Sequence, residues 1–188
     1  MICRTHLTTF AILENDNGYP IEFAAFGVTH DGDHNYRFSM NFGGLPAHPV
    51  QDVAWRFLEH VPEGTNILSV IPLEGQMPLA ESFWINSLAS SFRMLGLPIE
   101  GYGRMLVLRC SEWQLVSTGL EYGLKYRGPN PGLKVEHRIA LLPLRAQAIW
   151  LTWLNETRDI AATDKRAVLA AWQAWRSLEQ ARKGIATI

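Results

Sequence analysis

Cysteine is scarce in this chain. Cys3 and Cys110 are the only two among 188 residues, and their separation matches no metal-ligand spacing. The opening segment MICRTHLTTF lacks the long apolar core of a signal peptide. Both cysteines are therefore expected as reduced thiols of a cytoplasmic protein. Long apolar runs are missing too, so no bilayer-spanning segment is expected. Neither sign of charge dominates: 17 Lys and Arg stand against 18 Asp and Glu, a net −1. A global electrostatic pull toward nucleic acid is thereby excluded, though a local basic patch is not. Internal repeats, low-complexity tracts, glycine-rich phosphate loops, zinc spacings and nucleophile elbows are likewise absent from the sequence.

What remains is an ordinary globular balance, with 47% hydrophobic and 19% charged residues. Thr5–Leu13 is rich in β-branched and apolar residues and reads as a strand. Asn15-Asp16-Asn17-Gly18 is a turn, because these residues tolerate left-handed backbone. Ile21–Thr29 reads as a second strand, His30-Asp31-Gly32-Asp33 as a second turn, and Tyr36–Phe42 as a third strand. Three strands so connected make an antiparallel meander. Then the pattern changes. Val53–Leu58 suggests a short helix, Asn66–Ile71 a buried strand, and Leu79–Leu95 a helix with an apolar stripe at Phe83, Leu88, Phe92 and Leu95. Gly96 and Pro98 stop that helix. Met105–Leu108 follows as a strand, then helices over Ser111–Leu120 and Glu136–Asn155, with Pro143 inside the latter as a kink or first-turn residue. Arg127-Gly-Pro-Asn-Pro-Gly132 between them is the clearest loop.

A last helix begins at Thr163, whose hydroxyl can cap it, with Asp164 at the positive end of its dipole. Its expected apolar face is Val168, Trp172, Trp175 and Leu178. The order of elements predicts an α/β fold with a mixed sheet. The expected division is a body over residues 1–160 and a C-terminal helical extension over 161–188 packed on it.

Three short motifs in this order carry a resemblance. In the first, Ile12 and Glu14 end a strand, and the next strand opens Ile21-Glu22-Phe23-Ala24-Ala25. In the second, Phe83-Trp84-Ile85-Asn86-Ser87-Leu88 is followed at the matching distance by Gly96-Leu97-Pro98. In the third, His137-Arg138-Ile139-Ala140-Leu141-Leu142 continues into a helix carrying Gln147-Ala148. The chain resembles the DEDDh-type 3′–5′ exonucleases, nearest their phage branch, over roughly residues 5 to 157. The resemblance implies a ribonuclease-H-like mixed sheet, with three antiparallel strands followed by alternating helices and strands. A mobile-element origin would fit the phage branch.

That family holds two divalent ions with a carboxylate cluster, and those ions activate water and stabilise the leaving oxygen. Here the three Asp positions of the resemblance are Ile12, Trp84 and Leu142, and only Glu14 and His137 keep the family's residue type. Magnesium needs hard oxygen ligands. The expectation is a catalytically inactive protein with no metal or cofactor, its cleft stabilised by the loss of carboxylate repulsion. Glu14 and His137 are then relics, an acid at a strand end and a helix-start histidine.

Such a protein would act by binding single-stranded nucleic acid or nucleic-acid ends, or a protein partner. Trp84 could stack on a base or fill the cleft. Arg104, Arg109, Lys125, Arg127 and Lys134 form a loose basic series that could hold phosphates or be scattered solvated charge. Trp172 and Trp175 suit core packing, or, if exposed, a protein interface. Asp31 and Asp33 read as solvated acids at a hairpin tip. Two further readings stay open. One is an active nuclease using Mg or Mn at Glu14, Asp16 and His137, with a further acid that the sequence does not place. The other is a pure interaction module using the helix from Thr163 to Lys183.

Overall fold

The computed structural model describes residues 5–32, 35–45, 64–73, 105–158 and 160–185. The expected helices at Val53–Leu58 and Leu79–Leu95, together with Trp84, Arg104, Cys3 and Asp33, lie outside them. Five strands are described: β1 (Thr5–Glu14), β2 (Pro20–His30), β3 (Tyr36–Gly44), β4 (Thr65–Pro72) and β5 (Met105–Cys110). Three helices follow: α1 (Glu112–Glu121), α2 (Val135–Glu156) and α3 (Ala162–Ile185).

The strands form one mixed sheet in the order β3-β2-β1-β4-β5. β1 pairs antiparallel with β2, and β2 antiparallel with β3, which is the expected meander. β1 pairs parallel with β4, and β4 parallel with β5. The first turn forms as its residues dictate. The Asn15 side-chain oxygen accepts from the backbone N–H of Asn17 and Tyr19, at 2.9 and 3.0 Å. Gly18 takes φ 75°, where a side chain would be strained. Asp16 is an exposed residue of that turn. At the second turn Asp31 is not simply solvated, because Arg37 Nε sits 3.1 Å from its carboxylate.

α2 crosses one face of the sheet. Ala11 and Ala24 on the strands and Ala146 and Ala148 on the helix are fully buried or nearly so, and their small size permits a close approach. The Thr9 hydroxyl donates to the Ala146 carbonyl at 3.0 Å, tying β1 to the helix. Pro143 neither ends α2 nor opens it, since the helix continues from Val135 to Glu156. Gln147 Nε2 donates to the Pro143 carbonyl at 3.0 Å. Ser111 and Gln114 close a reciprocal capping box at the start of α1, satisfying two otherwise orphan N–H groups.

α3 is bound into this body. Trp172 is 0% exposed, and its indole N–H donates to Gln147 Oε1 at 3.1 Å. Trp175 packs on Phe26 and Phe38, both with ring centroids 5.7 Å away. Arg176 stacks over Trp172 and donates to the Tyr122 and Gly123 carbonyls at the end of α1. The exposed tryptophan pair that an interface would need is therefore not present: Trp172 and Trp175 serve internal packing. Two details of the expected helix also change. Thr163 lies inside the first turn of α3 and is not its cap, and Leu178 is 61% exposed and not on the packed face. The described α/β architecture agrees with the expected fold class.

Candidate functional site

β1 ends at the mouth of a cavity of about 230 Å³. Ile12, Leu13 and Glu14 form its strand wall, and Arg138, Leu141, Leu142 and Arg145 of α2 face them. Glu112 from the first turn of α1 and the loop from Tyr126 to Asn130 complete it. The β1–β2 register shifts between Leu13 and Glu14. Such irregularities interrupt strict alternation and re-aim side chains. The loop wall depends on Gly128, which is buried and takes φ 87°. A Cβ there would meet Val116 Cγ2 at 3.3 Å. Asn130 folds the next turn by accepting from the Gly132 N–H at 2.9 Å.

The polar side of the cavity is a three-residue network. Arg145 is 8% exposed although it carries a charge. Its Nη1 lies 2.7 and 2.6 Å from the two Glu112 carboxylate oxygens. Tyr126 donates its phenol to Glu112 Oε1 and accepts from Arg145 Nη1. Burial, reinforced by the Glu112 charge and opposed by Arg145, pushes the Tyr126 phenol well above its ordinary range. It is thus a neutral donor at any physiological pH. Arg138 is half-buried, and its Nη2 donates to the Glu14 carbonyl at 3.1 Å.

The structure brings together Ile12, Glu14 and Leu142, which the sequence assigns to one cleft. It leaves His137 out. That residue is exposed in the first turn of α2, and its neighbour Arg138 lines the cavity instead. Among the described residues no three of His, Cys, Asp and Glu are grouped to hold a metal ion, and Glu14, Asp16 and His137 therefore form no such set. The described lining does not fit the family's two-metal arrangement. Ile12 and Leu142 offer no lone pair, and the Glu112 carboxylate is already occupied by Arg145 and Tyr126.

Of the basic series, Lys125 and Arg127 are exposed on the segment between α1 and α2, and Lys134 is exposed just before α2. None of the three lines the cavity. Arg109 lies on a different cleft, beside Trp153 and Glu156. The lining residues with charged or phenolic side chains that were not site candidates from sequence are Glu112, Tyr126, Arg138 and Arg145. One signal was available, because Arg145 interrupts the apolar run of α2, and a charge inside a buried stripe calls for a partner. Comparison of the chain with family models, curated proteins and solved structures gives no match.

Proposed function

We propose that this chain has a ribonuclease-H-like body that no longer cuts, and that it acts by binding single-stranded nucleic acid or nucleic-acid ends at the β1–α2 cavity. The observation that carries this reading is the convergence of Ile12, Glu14 and Leu142. They come from motifs more than a hundred residues apart, and they meet at one cavity. A mixed sheet that begins with three antiparallel strands supports the same reading.

Two positions that the family fills with metal-binding acids are filled here with apolar groups. Cationic groups stand beside them. Arg145 is committed to Glu112, so Arg138 at the cavity is the guanidinium placed to meet a phosphate oxygen. Lys125, Arg127 and Lys134 flank the loop wall and would extend that contact along a strand. The proposed setting is the cytosol, where the buried thiol of Cys110 stays reduced. No helix among the described residues is long and apolar enough to cross a membrane.

Binding of single-stranded DNA and RNA at low and moderate salt tests the proposal. Affinity should fall with salt, and Arg138→Ala should weaken it by about tenfold, the size of one lost charge-assisted contact. Absence of binding to both nucleic acids would sink it. In that event the protein-partner reading moves to α1, where Trp113 is 75% exposed and Leu120 lies on the same side two turns later, also exposed.

A further inference from the structure

The polar wall of the β1–α2 cavity holds an acceptor with capacity to spare. Glu112 lines the cavity, and its side chain is 28% exposed. Its Oε1 accepts from both Tyr126 and Arg145, while Oε2 accepts from Arg145 alone among the described residues. A carboxylate has about four lone-pair positions, so one on Oε2 remains for a ligand. One position is too few for a metal ion and enough for one N–H donor. Tyr126 and Arg145 also hold the carboxylate in place, so little side-chain freedom is left to lose when that donor arrives.

The rest of the cavity selects what carries the donor. Ile12 and Leu13 of β1 stand opposite Leu141 and Leu142 of α2, and Pro129 lies on the loop side. Aliphatic walls suit the faces of a flat ring. A sugar would leave its ring oxygen and hydroxyls unpaired against them. The volume of about 230 Å³ suits a single ring system, since pockets for drug-sized ligands begin at roughly 300 Å³. Arg138 stands at the same cavity with one N–H on the Glu14 carbonyl, and a guanidinium has further N–H groups to give. A phosphate beside the ring would meet them.

Resting on the nucleic-acid reading of this cavity, we infer that Glu112 selects the base. Its Oε2 accepts from the exocyclic amino group of adenine, cytosine or guanine, with the ring against Ile12 and Leu142 and the phosphate on Arg138. Thymine and uracil have no such amino group. Their one ring N–H is flanked by two carbonyl oxygens, which the carboxylate repels. Glu112 then reads the base, and Arg138 reads only the backbone.

Binding of short single-stranded DNA homopolymers to the full chain tests this, beside their RNA counterparts and at several salt concentrations. Adenine and cytosine oligomers should bind about tenfold more tightly than thymine oligomers, the size of one charge-assisted hydrogen bond. An oligomer of unsubstituted purine keeps the adenine ring system and lacks the amino group. It should bind about tenfold more weakly than adenine. In the double variant Arg145→Met with Glu112→Gln, the amide offers a donor as well as an acceptor, so the adenine and purine oligomers should bind equally. The comparison of adenine with purine needs no variant and decides the matter even where the double variant is unstable. Equal, salt-dependent binding of these two oligomers by the unaltered chain would overturn the inference and leave the proposed function standing. An adenine preference that survives in the double variant would do the same. Tighter binding of RNA than DNA whatever the base would give the Oε2 position to a ribose hydroxyl and overturn the base selection too. No binding of any oligomer would remove both this inference and the function it rests on.

Discussion

The two halves of α2 face the same sheet and are built differently. After Arg145 the helix buries Ala146, Ala148, Ile149, Trp150, Leu151 and Leu154, the rings of Phe26, Phe38 and Trp172 gather around Trp150, and Trp175 packs in turn on Phe26 and Phe38. Before that point it presents Arg138, Leu141, Leu142 and Arg145 to a cavity, and Arg145 is held by charge and hydrogen bonds rather than by apolar contact. Close-packed aromatic surface is strongly favourable. A buried ion pair at best roughly offsets its own desolvation. The difference teaches that the second half contributes mainly packed apolar surface, while the first presents a charge-held wall to the β1–α2 cavity.

The largest expected effect falls on the second half. Trp172→Ala removes a wholly buried ring and leaves Gln147 Oε1 without its donor. It should cost about 3–5 kcal/mol of unfolding free energy, read from urea denaturation. Removing α3 should for the same reason unfold or badly destabilise the body. A truncated chain of unchanged stability would restore the view of α3 as a detachable module.

In the first half, Arg145→Met should cost about 3 kcal/mol, because it strands a part-buried carboxylate beside Tyr126. Adding Glu112→Gln should recover most of that loss, since the stranded charge is then gone. The second half has no charge to compensate, so no partner substitution should rescue Trp172→Ala in this way. A double variant as unstable as the single one would show that Arg145 acts by packing and would erase the contrast.

The smallest effect is a pH dependence. The Tyr126 phenol has a raised pKa in the folded chain, so the folded state holds that proton more tightly than the unfolded state does. Its contribution is fully present below the unfolded value of about 10 and is lost as pH rises toward the folded value. Stability should therefore fall above about pH 10, and Tyr126→Phe should fall less over the same range. Identical slopes for the two proteins would remove Tyr126 from the network. Tyr36 and Tyr122 are also raised by burial, so some slope should survive the substitution.

Local chemistry explains what was legible in the sequence. The β-branched and apolar run of β1, the alternation of β3 and the Asn15–Gly18 turn specify the meander without help from distant groups. Ser111 and Gln114 cap α1 within four residues of each other. The cleft positions Ile12, Glu14 and Leu142 were legible only through the order of the motifs. The Glu112–Tyr126–Arg145 network was not, because its members are 14, 19 and 33 residues apart in the chain and only the packing of α1 on α2 joins them. Leu178 fails for a related reason: the helical period carries the apolar stripe onward past Trp175, but Leu178 has no comparable cover.

Manganese-dependent degradation of single-stranded DNA and RNA, measured on the same sample that binds them, tests the central claim most directly. The account predicts binding that weakens with salt and no degradation at any manganese concentration. Metal-dependent degradation that disappears in Glu14→Ala would contradict it, and would mean that a working ion site survives beside Ile12 and Leu142.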